Sequence, residues 1–220
     1  MSLYPRWTST VTGRMNKPSI RTAAGVIASV WAAFLLPPQL VVWSLSDTPE
    51  WMVRLASSTM YEWLTARGAS VGLTDPYFLY GAAVAPSFLL IGWVLTHATR
   101  GLGWTGRALS WITLAGAPLV VVSYAAEDWP DPWGMLWGAE AILFMAIGLA
   151  GLAAGVVAFR RHVSRSWATL IAITPLVIVV STLIVPYYPH GTLIGMGLHA
   201  AAFGLATREP EPSPALSPAA

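Results

Sequence analysis

The chain has 220 residues, 55% of them hydrophobic and only 10% charged, with a mean hydropathy of +0.60. A soluble domain carries about a quarter charged residues. Here the charges cluster between apolar stretches of the roughly 20 residues that cross a bilayer, which excludes an ordinary soluble fold. The absence of cysteine excludes disulfides, thiolate metal sites, iron–sulfur clusters and thiol redox relays.

Residues 1–21 form a basic N-terminal tail with Arg6, Arg14, Lys17 and Arg21. The apolar run that follows is long enough to span, so no cleavable signal peptide is expected. Hydropathy predicts an all-α polytopic bundle of about six transmembrane helices, at 22–45, 78–98, 107–126, 134–159, 166–186 and 190–207. The segment 46–77 is too polar to span. In it Trp51, Met52, Leu55, Met60, Trp63 and Leu64 interleave with Glu50, Arg54, Glu62 and Arg67, which suits an amphipathic helix in the interface or capping the bundle. Residues 22–207 are therefore one bundle. The tail 208–220, with Pro210, Pro212, Pro214 and Pro218 among Glu, Ser and Ala, is expected to be disordered. No internal repeat suggests the inverted halves of a transporter.

Orientation follows from lysine and arginine. With both termini cytoplasmic, the inner segments hold Arg6, Arg14, Lys17, Arg21, Arg100, Arg107, Arg160, Arg161, Arg165 and Arg208, and the outer ones only Arg54 and Arg67. The acids lean outward: Asp47, Glu50, Glu62, Asp75, Glu127, Asp128 and Asp131. The pI near 9.2 then reflects attraction to an anionic inner leaflet, with the lipid bilayer as partner and no nucleic acid. The expected location is the cell membrane, as a multi-pass protein.

Four spans carry internal prolines: Pro37-Pro38, Pro86, Pro118 and Pro175. Each tends to kink its helix and can open a cavity, although proline is also an ordinary constituent of membrane helices. Glu140 is the most informative residue, about six positions inside the fourth span and roughly 9 Å from its outer end. A carboxyl group at that depth faces the interior and pairs or holds its proton, as a catalytic acid or as a hydrogen bond between helices. Trp133, Trp137 and Glu140 follow at spacings of four and three, so one helical face would carry two indoles beside an acid. Such a surface can hold a hydrophobic cation; the same tryptophans also fit an interfacial aromatic belt with Trp43, Trp51, Trp63 and Trp129.

His199 recurs with Gly191 and Gly195 every four residues, on a small-residue face that packs against other helices. It can pair with Glu140, shuttle a proton, ligate a metal, or simply satisfy a neighbouring backbone group. His190 lies on roughly the opposite face, which argues against a two-histidine metal clamp. The loop Glu127-Asp128-Trp129-Pro130-Asp131 is better read as an acidic loop than as a magnesium–diphosphate site, because Pro130 interrupts the helix that would align two carboxylates. No Walker loop, HExxH pair, dinucleotide fingerprint or nucleophile elbow occurs, and no metal or cofactor is expected. With no lysine in any span, a retinal-type Schiff base is disfavoured.

The compact bundle, the many tryptophans and the buried acid Glu140 together resemble the small integral-membrane terpene cyclases of bacterial indole-sesquiterpenoid and fungal meroterpenoid pathways. The resemblance implies a metal-independent, proton-initiated cyclisation of a hydrophobic prenylated small molecule, of farnesyl type. Glu140 would be the acid, with Glu127, Asp128 and Asp131 as alternative acids at the cavity mouth and His199 as a further catalytic candidate. Trp133 and Trp137 would stabilise the cation, and Gln39, Tyr187 and Tyr188 would complete the substrate-contacting set. Two other readings stand beside it. In one the chain is a non-enzymatic membrane subunit that binds a protein partner; in the other it is a small proton-coupled transporter with Glu140 and His199 as relay.

Overall fold

The computed structural model describes residues 17–43, 48–185, 187 and 189–206. Among these the chain is all-helical. Helix α1 (Lys17–Val42) leads into two short helices, α2 (Glu50–Ala56) and α3 (Thr59–Ser70). Then come α4 (Pro76–Ala82), α5 (Ala85–Ala98) and α6 (Trp104–Ala125). A 3₁₀ turn (Trp133–Leu136) precedes α7 (Ala139–Arg160), α8 (Arg165–Ala172), α9 (Thr174–Ile184) and α10 (His190–Leu205).

Four stretches are long and apolar enough to cross a membrane: Ile20–Val42, Pro76–Ala98, α6 and α7. The pair α8–α9, bent by 50°, makes a fifth if it acts as one span. The expected sixth, α10, has only 16 residues. At 1.5 Å per residue that is about 24 Å, short of a hydrocarbon core about 30 Å thick. The N-terminal tail and the Pro-rich segment 208–220 lie outside the described residues, apart from the helical start at Lys17.

The prolines act differently from one another. Pro86 and Pro175 stand in the first turn of α5 and α9, where their missing N–H is not needed, so the chain breaks just before them. Pro37-Pro38 and Pro118 lie inside α1 and α6, which run on as single helices. The polar segment after α1 is two helices rather than one. Helix α2 buries no side chain, and α3 buries Tyr61, whose hydroxyl donates to the Phe34 carbonyl of α1 (2.5 Å). Trp51, Met60 and Trp63 stay exposed, as an interfacial segment requires. Asp75 caps α4 by accepting from the Tyr77 and Phe78 backbone N–H groups (both 2.9 Å).

Helix α10 packs along α1 almost backbone to backbone. A Cβ on Gly197 would fall 2.6 Å from the Ser29 nitrogen, and one on Gly25 would fall 2.7 Å from the Gly197 carbonyl oxygen. Small residues four apart on each helix (Gly25 and Ser29, Gly197 and Ala201) allow this approach. Ser29 Oγ donates across the contact to the Ile194 carbonyl (2.9 Å). Phe88, Ile91, Leu109, Ile147, Trp167 and Leu193 fill the core around this pair.

The helix ends sort the charges. One end, where α1, α6 and α9 finish and α4, α7 and α10 begin, holds all the described acids: Glu50, Glu62, Asp75, Glu127, Asp128, Asp131 and Glu140. The other end gathers Arg21, Arg100, Arg107, Arg160, Arg161 and Arg165. Among the described residues only Arg54 and Arg67 depart from this division, and Arg54 pairs with Glu50 across one helical turn (3.5 Å).

Candidate functional site

The site lies at the acid end, where α6 turns into α7. Gly138, in the left-handed region at φ 79°, ends the connection, and α7 begins at Ala139. Glu140 therefore falls in the first turn of α7, buried at 5% exposure. Ser123, near the end of α6, links the two helices. Its Oγ accepts from the Gly138 backbone N–H (2.9 Å) and donates to Glu140 Oε2 in a close hydrogen bond. One hydroxyl thus holds both the helix start and the carboxyl group.

An aromatic cluster surrounds this point, beginning with the next residue of α6. The Tyr124 hydroxyl lies 3.1 Å from that of Tyr187, which accepts from Gln39 Nε2 (2.9 Å). Trp43 stacks on Tyr77 and on Trp137, with ring centroids 5.7 Å apart in each case, and meets Tyr187 edge-on at 6.1 Å. Tyr77 also meets Tyr124 at 5.0 Å, and its hydroxyl accepts from Trp137 Nε1 (2.9 Å). Stacked and tilted rings at these separations favour one another and present electron-rich faces.

His190 completes the cluster. It is fully buried, its ring 5.4 Å from that of Tyr187. Nε2 faces the Tyr80 carbonyl oxygen at 3.4 Å, a partner that only an N–H can satisfy. Nδ1 then carries the lone pair, and it has no hydrogen-bond partner. The buried Gln39 Oε1 is also without one. Most buried polar atoms in folded proteins are paired, so these two acceptors beside Tyr187 stand out in the core.

The residues expected from sequence divide in two. Gln39, Trp137, Tyr187 and Glu140 converge here. Trp133 does not: it lies in the 3₁₀ turn with 63% of its surface exposed. The shared helical face expected for Trp133, Trp137 and Glu140 is absent because α7 starts five residues later than hydropathy suggested, after the left-handed Gly138. Glu127, Asp128 and Asp131 stand exposed on the α6–α7 connection. Partial burial, then Asp128, then Asp75, push the Glu127 carboxyl group above its ordinary pKa. Tyr188 lies outside the described residues.

The expected pairing of His199 with Glu140 does not occur. His199 is nine residues beyond His190, about 14 Å along α10. It packs against Phe203 (ring centroids 5.0 Å) and lies 3.4 Å from Thr174 Oγ1 at the α8–α9 break. Its small-residue face turned it inward, but toward α8 and α9.

Sequence reasoning passed over Ser123, Tyr77 and Tyr124, and weighed His190 only as half of a metal clamp. The available signal was the placement of Tyr77, Tyr80, Tyr124 and Tyr187 at span ends that share one level of the bundle.

A nearly apolar groove of about 490 Å³ runs between α7 and α9, lined by Ala141, Phe144, Pro175, Ile178 and Thr182. Its outer wall is the exposed Met145, Leu149, Val179 and Leu183. It begins one residue from Glu140. The chain matches no family model, no curated protein and no solved structure.

Proposed function

We propose that the chain is a six-span membrane protein, both termini on the arginine side, that cyclises a prenyl chain by proton transfer at the acid end. One observation carries the reading: a buried carboxyl group, Glu140, stands beside a cluster of aromatic faces that includes a buried imidazole with a free lone pair. Helix α10 serves as a short sixth span held in place by α1. The separation of arginines from acids supports the orientation.

The chemistry needs a proton, a shaped apolar surface and a base. Glu140 gives its proton to the terminal alkene carbon of a farnesyl-type chain, leaving a tertiary cation on the neighbouring carbon. Internal double bonds attack in turn, each closing a ring and moving the cation along. The faces of Trp43, Tyr77, Trp137 and Tyr187 stabilise it. His190 Nδ1 takes the final proton, an alkene forms, and the product is an isomer of the substrate. The Tyr187 and Tyr124 hydroxyls, 3.1 Å apart, offer a path for that proton back toward Ser123 and Glu140. The groove between α7 and α9 offers the prenyl chain a way in from lipid.

The test is isotopic. Membranes containing the chain, given a farnesylated aromatic substrate in deuterium oxide, should yield a product one mass unit heavier, labelled where protonation began. Product without deuterium would remove the proton-initiated mechanism.

A second reading is favoured by the exposed Trp51, Met60 and Trp63 of α2 and α3: a non-enzymatic subunit that binds a partner through this face. Purification in mild detergent would then bring down a stoichiometric protein, and a clean monomer would count against it. The transporter reading loses its relay, since Glu140 and His199 occupy different parts of the bundle.

A further inference from the structure

The arginine end holds a second cavity, of about 610 Å³, between the last turn of α5 and the first turns of α6. Three guanidinium groups line it: Arg100 on the α5–α6 loop, Arg107 on α6 and Arg161 just past α7. Trp93 and Trp111 form its flanks, with Leu114 deeper along α6.

The loop is shaped around one of these cations. Gly101 and Gly103 both adopt positive φ, at 94° and 70°, and turn the backbone so that the Gly101 carbonyl accepts from Arg161 Nη1. Arg161 Nη2 lies 3.5 Å from where a Cβ on Gly103 would stand, so the guanidinium rests against the loop. Glycine is the residue that takes such φ values without strain. The three hydroxyls in the wall are already committed. Thr96 Oγ1 donates to the Gly92 carbonyl, the single Thr99 hydroxyl proton is shared between the Leu95 and Gly106 carbonyls, and Ser110 Oγ donates to the Gly106 carbonyl. Donation to a ligand therefore falls to the guanidinium groups.

Arg107 and Arg161 face this cavity at the end of the bundle opposite to every described Asp and Glu. Guanidinium forks match phosphate oxygens in geometry and charge. Trp93 and Trp111, 38% and 69% exposed, give apolar ring surface beside the charged mouth.

We propose that this cavity binds the phosphate of an amphiphile, with Arg107 and Arg161 on the phosphate oxygens and the hydrocarbon chain running past Trp93, Trp111 and Leu114. The site is independent of the chemistry proposed for the acid end. The same phosphate chemistry can be presented by a phospholipid headgroup or by a soluble phosphate, and the headgroup is favoured by the two indoles.

The test is native mass spectrometry of the full chain in detergent. It is titrated with phosphatidylglycerol, with phosphatidylcholine, and with inorganic pyrophosphate as competitor. Phosphatidylglycerol should bind at least tenfold more tightly than phosphatidylcholine. Removing one cation in Arg107→Gln should weaken it about fivefold. Arg54→Gln, at the opposite end, should leave it unchanged and serves as the charge control. Displacement of bound lipid by pyrophosphate at equal concentration would identify a soluble phosphate as the ligand's source, and resistance would identify the headgroup. Equal binding of the two lipids, or an Arg107→Gln variant that folds and binds like the parent, overturns the proposal.

Discussion

Substituting Gly197→Ala tests the contact on which the whole arrangement rests. The added Cβ would stand 2.6 Å from the Ser29 nitrogen and 2.8 Å from the Gly25 carbonyl oxygen, both backbone atoms that no rotamer change can move. Reaching an ordinary separation of 3.4 Å requires α1 and α10 to part by about 0.8 Å. Overpacking of this kind costs about 1–3 kcal/mol. Parting also stretches the bond from Ser29 Oγ to the Ile194 carbonyl, which contributes about 1 kcal/mol. The expected loss is thus about 3 kcal/mol, or roughly 10 °C in the thermal midpoint of a chain this long. Tryptophan fluorescence during heating in detergent micelles reads it directly. Ser29→Ala should lose about a third as much, because it removes only the hydrogen bond. Leu198→Ala, one residue on but mostly exposed, should change little. A Gly197→Ala variant that melts with the parent would refute the backbone-to-backbone packing.

Further outcomes follow from individual groups. Ser123→Ala removes the partner of the Gly138 N–H and of the buried Glu140 carboxyl group at once, and should destabilise the chain by about 2 kcal/mol in the same melting assay. His190→Gln should lower product formation about a hundredfold or more if His190 is the terminal base, whereas His199→Gln should stay within a few-fold of the parent; the reverse order would misplace the base. Glu127, with its folded pKa raised by burial, Asp128 and Asp75, contributes stability that is present below the unfolded value and lost as pH rises through the folded one. The melting temperature should therefore fall more steeply in the parent than in Glu127→Gln as pH rises upward from the ordinary carboxyl range; parallel curves would contradict the assignment.

Much of the fold was legible because hydropathy reads long apolar helices well: α1, α6 and α7 lie close to their expected positions. The breaks were harder. Pro86 and Pro175 were expected to kink their spans: Pro175 stands at the 50° bend between α8 and α9, and Pro86 opens α5 inside the continuous stretch Pro76–Ala98, since proline fits a first turn and conflicts with the turn before it. Pro118 looked the same in sequence and lies within an unbroken α6. At the site, Glu140 was expected to be buried six residues inside its span; it is buried, but in the first turn of α7. The roles of Ser123, Tyr124 and His190 were missed because they depend on which helices touch. The pairing of α6 with α7 and of α1 with α10 brings Gln39 to Tyr187, 148 residues away in sequence. No periodicity carries that information. His199 shows the limit from the other side: its small-residue face located the inward direction, but the partner on that side was Thr174 rather than Glu140.

The most direct measurement is mass spectrometry of membranes from a host expressing the chain, fed with farnesylated aromatic substrates, for the parent and for Glu140→Gln. The account predicts an isomer of unchanged mass and shifted retention from the parent. It predicts none from Glu140→Gln, although that variant inserts and melts normally. An isomer made equally well by Glu140→Gln, or no isomer at all from the well-folded parent, would contradict it.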